Sequence, residues 1–192
     1  MAINLEKGGR YNLSKEAPGL TKVRVGLGWD ANAFDTGGEF DLDVSMFVCN
    51  SASGNPKLLG DEYFVFYNNK QTPDGAIAHT GDSRKGEVAG DDETLTIDLA
   101  KLTARADELS VVVTIHEAES RRQNFGQVRN SYIKLYNDAT GEVLAKYALE
   151  DDFSNVTAVQ FGSLYKKDDQ WLFKAVGAGY KRGLADFVNA YQ

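Results

Sequence analysis

The side chains of this chain whose spacing could do chemistry are carboxylates. Asp41 and Asp43 stand two apart in a run whose alternate members, Phe40, Leu42, Val44, Met46 and Val48, are apolar. Residues two apart in a strand share a face, with Cα atoms about 6.6 Å apart at ~3.3 Å rise per residue, so one cation could bridge the pair. Further along, a glycine-spaced segment from Gly81 to Glu93 contains Asp82 and ends in the consecutive carboxylates Asp91, Asp92 and Glu93. Like charges this close repel one another, and a bound cation or solvent and salt must offset them. Calcium takes six to eight oxygen ligands in flexible geometry and suits such a loop better than the strict octahedron of magnesium. Asn68 offers a further neutral oxygen, although Asx residues also cap turns, and the nearby Asp74-Gly75 is itself a turn signal. A solvated strand face or an exposed loop would carry the same residues without a metal, so both readings stand at this level.

Other chemistries are poorly served. Asp82 and Glu93 occupy the first and twelfth places of an EF-hand-length loop, but Arg84, Gly86 and Glu87 fall where its ligands and obligatory glycine belong. The only histidines, His79 and His116, have no nucleophile at a recognisable spacing, and with the single Cys49 they make a poor zinc set. Cys49 cannot close an internal disulfide, which suits a reducing compartment. Gly177-Ala178-Gly179-Tyr180-Lys181-Arg182-Gly183 lacks the phosphate-loop spacing and a surrounding βαβ unit, and reads as a turn into a last helix.

The elements that must position these carboxylates are mostly strands. Period-two alternation recurs over 22–27, 40–49, 63–67, 94–99, 109–116, 131–136 and 142–149, with a hairpin of 157–166 and 170–176 across Lys167-Asp168-Asp169. Helical spacing is confined to short pieces at 100–108 and 184–191. The pattern predicts an all-β fold, a two-sheet β-sandwich with short peripheral helices including a C-terminal one, in a single domain over residues 1–192. The chain of 192 residues is large enough to bury a core without disulfides or a metal. No apolar run approaches a membrane span, and no secretory signal follows Met1, so a cytoplasmic protein is expected. A net charge of −7 repels phosphate backbones, which argues against nucleic acid as a partner.

Several multi-residue motifs occur in order along the chain. They are Gly26-Leu27-Gly28-Trp29-Asp30, Phe40-Asp41-Leu42-Asp43, Phe66-Tyr67-Asn68-Asn69, His79-Thr80-Gly81-Asp82 and Gly90-Asp91-Asp92-Glu93, then Phe125-Gly126-Gln127-Val128, Phe161-Gly162 and Val176-Gly177-Ala178-Gly179-Tyr180. Together they resemble the TerD family of bacterial tellurite-resistance and general stress proteins, over nearly the whole chain. The resemblance implies a cytoplasmic calcium-binding β-sandwich that binds more than one Ca2+ ion and has no enzymatic activity. It also implies a role in resistance to tellurite, other chemical stress, phage and colicins. Its ligand motifs fall on Asp41, Asp43, Asp82, Asp91, Asp92 and Glu93, with Asn68 a weaker member. Ser83 departs from the family's usual asparagine. Expected partners are other stress and tellurite-resistance proteins, including a membrane-associated complex. The alternative is a calcium-assisted binder of an anion or nucleotide such as tellurite or phosphate, using Lys181-Arg182 at the final helix start.

Overall fold

The structure, a computed structural model, describes residues 2–30, 38–80, 90–149, 153–181 and 183–192. In chain order its elements are β1 (Ile3–Leu5), β2 (Arg10–Asn12), α1 (Leu13–Glu16), β3 (Lys22–Gly28), β4 (Leu42–Asn50), β5 (Lys57–Leu58), β6 (Phe64–Val65), β7 (Ile77–His79) and β8 (Glu93–Asp98). They continue with β9 (Glu108–Ile115), α2 (Ala118–Arg121), β10 (Tyr132–Asn137), β11 (Glu142–Ala148), β12 (Ala158–Lys167), β13 (Gln170–Tyr180) and α3 (Leu184–Tyr191). The strands form a six-stranded sheet in the order β1-β11-β10-β3-β8-β7 and a seven-stranded sheet in the order β2-β13-β12-β9-β4-β5, with β6 also on β4. This is the sandwich that the alternation predicts.

One core runs between the sheets. Val25, Leu27, Leu95, Ile133 and Leu135 of the first sheet meet Leu42, Val44, Met46, Val111, Val113 and Phe161 of the second, all within one buried cluster. The β12–β13 hairpin turns through Asp168 and Asp169, both at positive φ (50° and 58°), a backbone that Asp tolerates and that matches strand twist.

The second sheet has a second buried face, so the Asp43 side of β4 is not the solvated strand face that alternation alone also allows. Asp43 is 8% exposed and Ser45, Phe47 and Cys49 are 0%. Phe187 and Tyr191 of α3 cover this face together with Phe64. Phe66, Phe64, Phe47 and Tyr191 stack in succession at centroid spacings of 4.5, 4.4 and 4.6 Å. The Tyr191 and Ser110 hydroxyls share a hydrogen bond of 2.7 Å, which satisfies both where water is excluded.

Two local readings differ from the structure. Residues 100–107 form turns and irregular backbone and Glu108 already opens β9, because side chains offer the backbone nearer acceptors than a helix would: Asp98 Oδ1 takes the Ala100 N–H and Asp74 Oδ2 the Thr103 N–H. Residues 177–180 continue β13 instead of turning, since Ala178, Gly179 and Tyr180 pair with Gln160, Val159 and Ala158.

Burial under this aromatic cover, with Glu108 and Asp107 adding, pushes the Cys49 thiol up to about 12. Native protein at pH 8 is therefore expected to resist a thiol-reactive disulfide probe. Tyr191→Ala, which removes part of the cover, should label roughly tenfold faster by local opening. Labelling of the native protein at the rate of a free thiol would contradict this packing.

Candidate functional site

Glu93 opens β8 and, paired with Leu27, points between the sheets. It is 1% exposed, and its Oε2 accepts the Val44 N–H at 2.5 Å. Val44 lies on β4 before the strand's pairings with β6 begin at Met46, so a carboxylate from the opposite sheet takes an amide that no strand among the described residues pairs on that side. His79 Nε2 is 3.7 Å from the same oxygen, with both side chains 1% exposed.

Asp92, 5% exposed, bonds backward and forward: its N–H donates to Leu27 O at 2.7 Å and its Oδ2 accepts the Trp29 N–H at 3.1 Å. Asp43, next to Val44, has Oδ2 3.5 Å from His116 Nδ1. The His116 N–H donates to Asp41 O at 2.8 Å, and the Tyr67 ring meets His116 edge-on at 6.2 Å. The Glu93–Val44 bond therefore brings the Asp41/Asp43 motif and the Asp92-Glu93 motif to one end of the sandwich. Sequence reasoning passed over both histidines as chemistry-bearing residues, yet each lies beside one of these carboxylates. The signals available were the place of His79 in the His79-Thr80-Gly81-Asp82 motif and of His116 at the end of an apolar run.

The other candidates are placed differently. Asn68 is exposed at the tip of a tight turn closed by paired Phe66 and Asn69 backbone bonds of 3.0 Å. Its neighbour Asn69 is the one that caps, donating Nδ2 to Phe64 O at 2.7 Å. Asp82, Ser83 and Arg182 lie outside the described residues. Asp91 turns away from Asp92 and Glu93 onto the outer face of the first sheet. There it meets Arg24 Nη1 at 3.4 Å and Lys134 Nζ at 3.7 Å, and Tyr132 Oη donates to it at 3.2 Å. Gly26 makes room, since a Cβ at that position would lie 2.1 Å from Asp91 Oδ2. Arg24 and Lys134 come from β3 and β10, far from Asp91 in sequence, and only sheet register reveals them.

Among the described residues, no three His, Cys, Asp or Glu side chains form a metal-binding group. The donor chemistry is nevertheless suited to a hard cation. Asp41, Asp43, Asp92 and Glu93 supply only oxygen, and carboxylates are rarely buried unless paired, hydrogen-bonded or ligating. A pocket of about 1080 Å³ opens beside Asp43, lined also by Tyr67, Thr114 and His116. No helix among the described residues is long and apolar enough to cross a membrane.

The TerD domain model matches residues 1–191. The chain is 48% identical over 191 residues to the tellurium resistance protein TerD of Serratia marcescens, covering 100% of this chain and 97% of that protein. It is 44% identical over 191 residues to general stress protein 16U of Bacillus subtilis (strain 168), with 100% and 97% covered. A crystal structure of a homologue of telluride resistance protein (TerD) from Streptomyces coelicolor A3(2) superposes with a TM-score of 0.72. At 23% identity, over 88% of this chain and 96% of that one, it shows the same fold.

Asp91→Asn and Gly26→Ala should each lower stability by about 1–3 kcal/mol in denaturant unfolding, the first by unpairing the cations and the second by displacing the carboxylate. The double variant should lose much less than the sum; simple additivity would contradict the contact. Burial, reinforced by Asp91, pushes the Tyr132 phenol up to about 12. A folded value above the unfolded value of ~10 makes this contribution full below pH 10 and lost as pH rises towards 12. The melting temperature should fall through that window, and less steeply in Asp91→Asn.

Proposed function

This chain belongs to the TerD family, and on that premise we propose that it is a cytoplasmic stress-response protein of the tellurium-resistance kind that binds calcium and acts through partners without catalysis. The observation that carries the calcium reading is the burial of Asp43, Asp92 and Glu93, each at most 8% exposed, on segments that the Glu93–Val44 bond joins. The relatives' names, tellurium resistance protein and general stress protein, support the biological setting.

Asp41, Asp43, Asp92 and Glu93 would hold the ion, the family's ligand motif adds Asp82, and Asn68 would be a weaker member. Asp91 could join only by leaving Arg24 and Lys134. Bound calcium supplies positive charge that offsets carboxylate repulsion. Glu93 ties the loop end of β8 to β4 and so couples the ion's surroundings to both sheets. Asp92 holds the Trp29 amide and orients the strand end beside it. The ordered end of the sandwich then presents one surface to other stress-resistance proteins, a membrane-associated complex among them. A lone, buried Cys49 suits a reducing cytoplasm.

Calcium is expected to raise the melting temperature by several degrees over chelator, since saturation at a hundred times the dissociation constant is worth ~2.7 kcal/mol and ~1 kcal/mol shifts a domain of this size by about 2–4 °C. Magnesium should do much less. The double variant Asp41→Asn, Asp43→Asn should lose the calcium response while its chelator melting temperature changes little or rises. Equal melting of the wild type in calcium and in chelator would contradict the metal reading.

A further inference from the structure

Four strands end the two sheets, β1 and β7 in the first and β2 and β5 in the second. An edge strand offers unpaired N–H and C=O groups to any strand that can approach, and proteins ordinarily block such edges with charge or a covering segment. Three of the four edges are blocked. Residues 70–72 run along β7, with the His79 N–H donating to Lys70 O at 2.8 Å and the Thr72 N–H to Ile77 O at 3.0 Å. β5 begins at Lys57, whose ammonium donates to Gln192 O. β2 carries the exposed Arg10 and passes directly into α1 at Leu13.

β1 has no such protection. Its residues Ile3, Asn4 and Leu5 are uncharged, and among the described residues only β11 pairs with it, in parallel. Leu5 packs against the core cluster, whereas Ile3, two positions earlier on the same face, is 46% exposed. Ile3 is the one large apolar side chain left exposed among the described residues. Open backbone and uncovered apolar surface therefore coincide at a single edge.

The sequence of this edge is complementary to itself. Antiparallel pairing with β1 of a second copy, centred on Asn4, sets Ile3 of each copy opposite Leu5 of the other. Directly opposed side chains have Cβ atoms about 4.5–5.5 Å apart, so each exposed Ile3 gains a leucine that already belongs to a core. Asn4 meets its counterpart on the outer face and Ala2 meets Glu6, so no like charges oppose one another. Lys146 lies beside Asn4 on β11. The two Lys146 positions would stand three strand spacings apart, about 14 Å at ~4.8 Å each, beyond the screening length of ~8 Å. With a net charge of −7 on each molecule, copies meet at least cost through a segment that carries no charge.

We propose that β1 is a self-association edge, through which two copies of this chain pair antiparallel about Asn4 and join their six-stranded sheets into one of twelve strands. The contact is isologous and closes at a dimer. Three paired residues bury less than the ~1,200 Å² of a standard interface, so the dimer is weak and forms only at high protein concentration. The inference goes beyond calcium binding and does not depend on it.

The test is sedimentation equilibrium in chelator, from roughly 10 µM to roughly 1 mM protein, with amide NMR spectra over the same range. The average mass is expected to rise from the monomer towards the dimer, with the Ile3, Asn4 and Leu5 amides shifting and those of β7 unmoved. Ile3→Lys, at an exposed position, should keep the wild-type melting temperature and remain monomeric at the highest concentration. Asn4→Lys and Asn4→Glu should each associate less than the wild type, and their equimolar mixture at least as strongly as the wild type, because only the mixed pair sets opposite charges across the two-fold axis. A constant monomer mass at 1 mM would leave the edge to water or to a strand of another protein and overturn the proposal. Association that survives Ile3→Lys, or a mixture no stronger than its components, would overturn it as well. Running every arm in chelator separates failure here from failure of the calcium reading.

Discussion

A single buried hydrogen bond, from the Val44 amide on one sheet to the Glu93 carboxylate on the other, holds together the end of the sandwich on which the site depends. The amide lies on a stretch of β4 that β6 does not reach, and a buried N–H left unmade costs about 1–3 kcal/mol. Glu93 meets that need across the interface between sheets, and the neighbours of each partner follow. Asp43 is placed beside Val44 and Asp92 beside Glu93, so two motifs separated by some fifty positions in sequence share one end of the fold. The same geometry explains why three consecutive carboxylates serve three purposes. Only Glu93 belongs to β8 and points inward, while Asp91 and Asp92 lie before the strand begins and turn to Arg24 and Lys134 and to the Trp29 amide.

Much of the fold was legible because alternation in a sandwich is a direct imprint of one buried face. Leu42, Val44 and Met46 are buried where that pattern predicts, and the C-terminal helix spans Leu184–Tyr191 as its spacing indicates. Asp43 shows where the reading stops. Its face looked polar from Asp41, Asp43 and Ser45, although Phe47 and Cys49 in the same phase already pointed to a second cover. What covers them, Phe187 and Tyr191, lies at the far end of the chain, and no local period announces such contact. The three-residue strands β1 and β2 are too short for any period to register. Residues 100–108 failed as a helix because Asp98 and Asp74 compete for its amides, a tertiary and turn effect that spacing does not encode.

The candidate site divides in the same way. The carboxylate types and their motifs are readable along the chain, and their membership of a TerD domain follows from the same residues. Their partners are not, because pairing is decided by register: Arg24 and Lys134 reach Asp91 only when β3 and β10 lie side by side, and Gly26 matters only because a carboxylate rests over it. His79 and His116 likewise acquire meaning from the ends of the strands that face Glu93 and Asp43. The layer formed by α3 has a further consequence, since it covers the aromatic part of the outer face and leaves the polar part beside Asp43 open as a pocket.

The central claim is that these buried carboxylates serve an ion as well as the backbone. The most direct measurement is an amide NMR titration of the protein with calcium after removal by chelator, following the Trp29 and Val44 resonances, whose acceptors are Asp92 and Glu93. The account predicts saturable shifts of both amides with one common dissociation constant, together with Asp43 and its neighbours on β4. Unmoved Trp29 and Val44 resonances at millimolar calcium would contradict it.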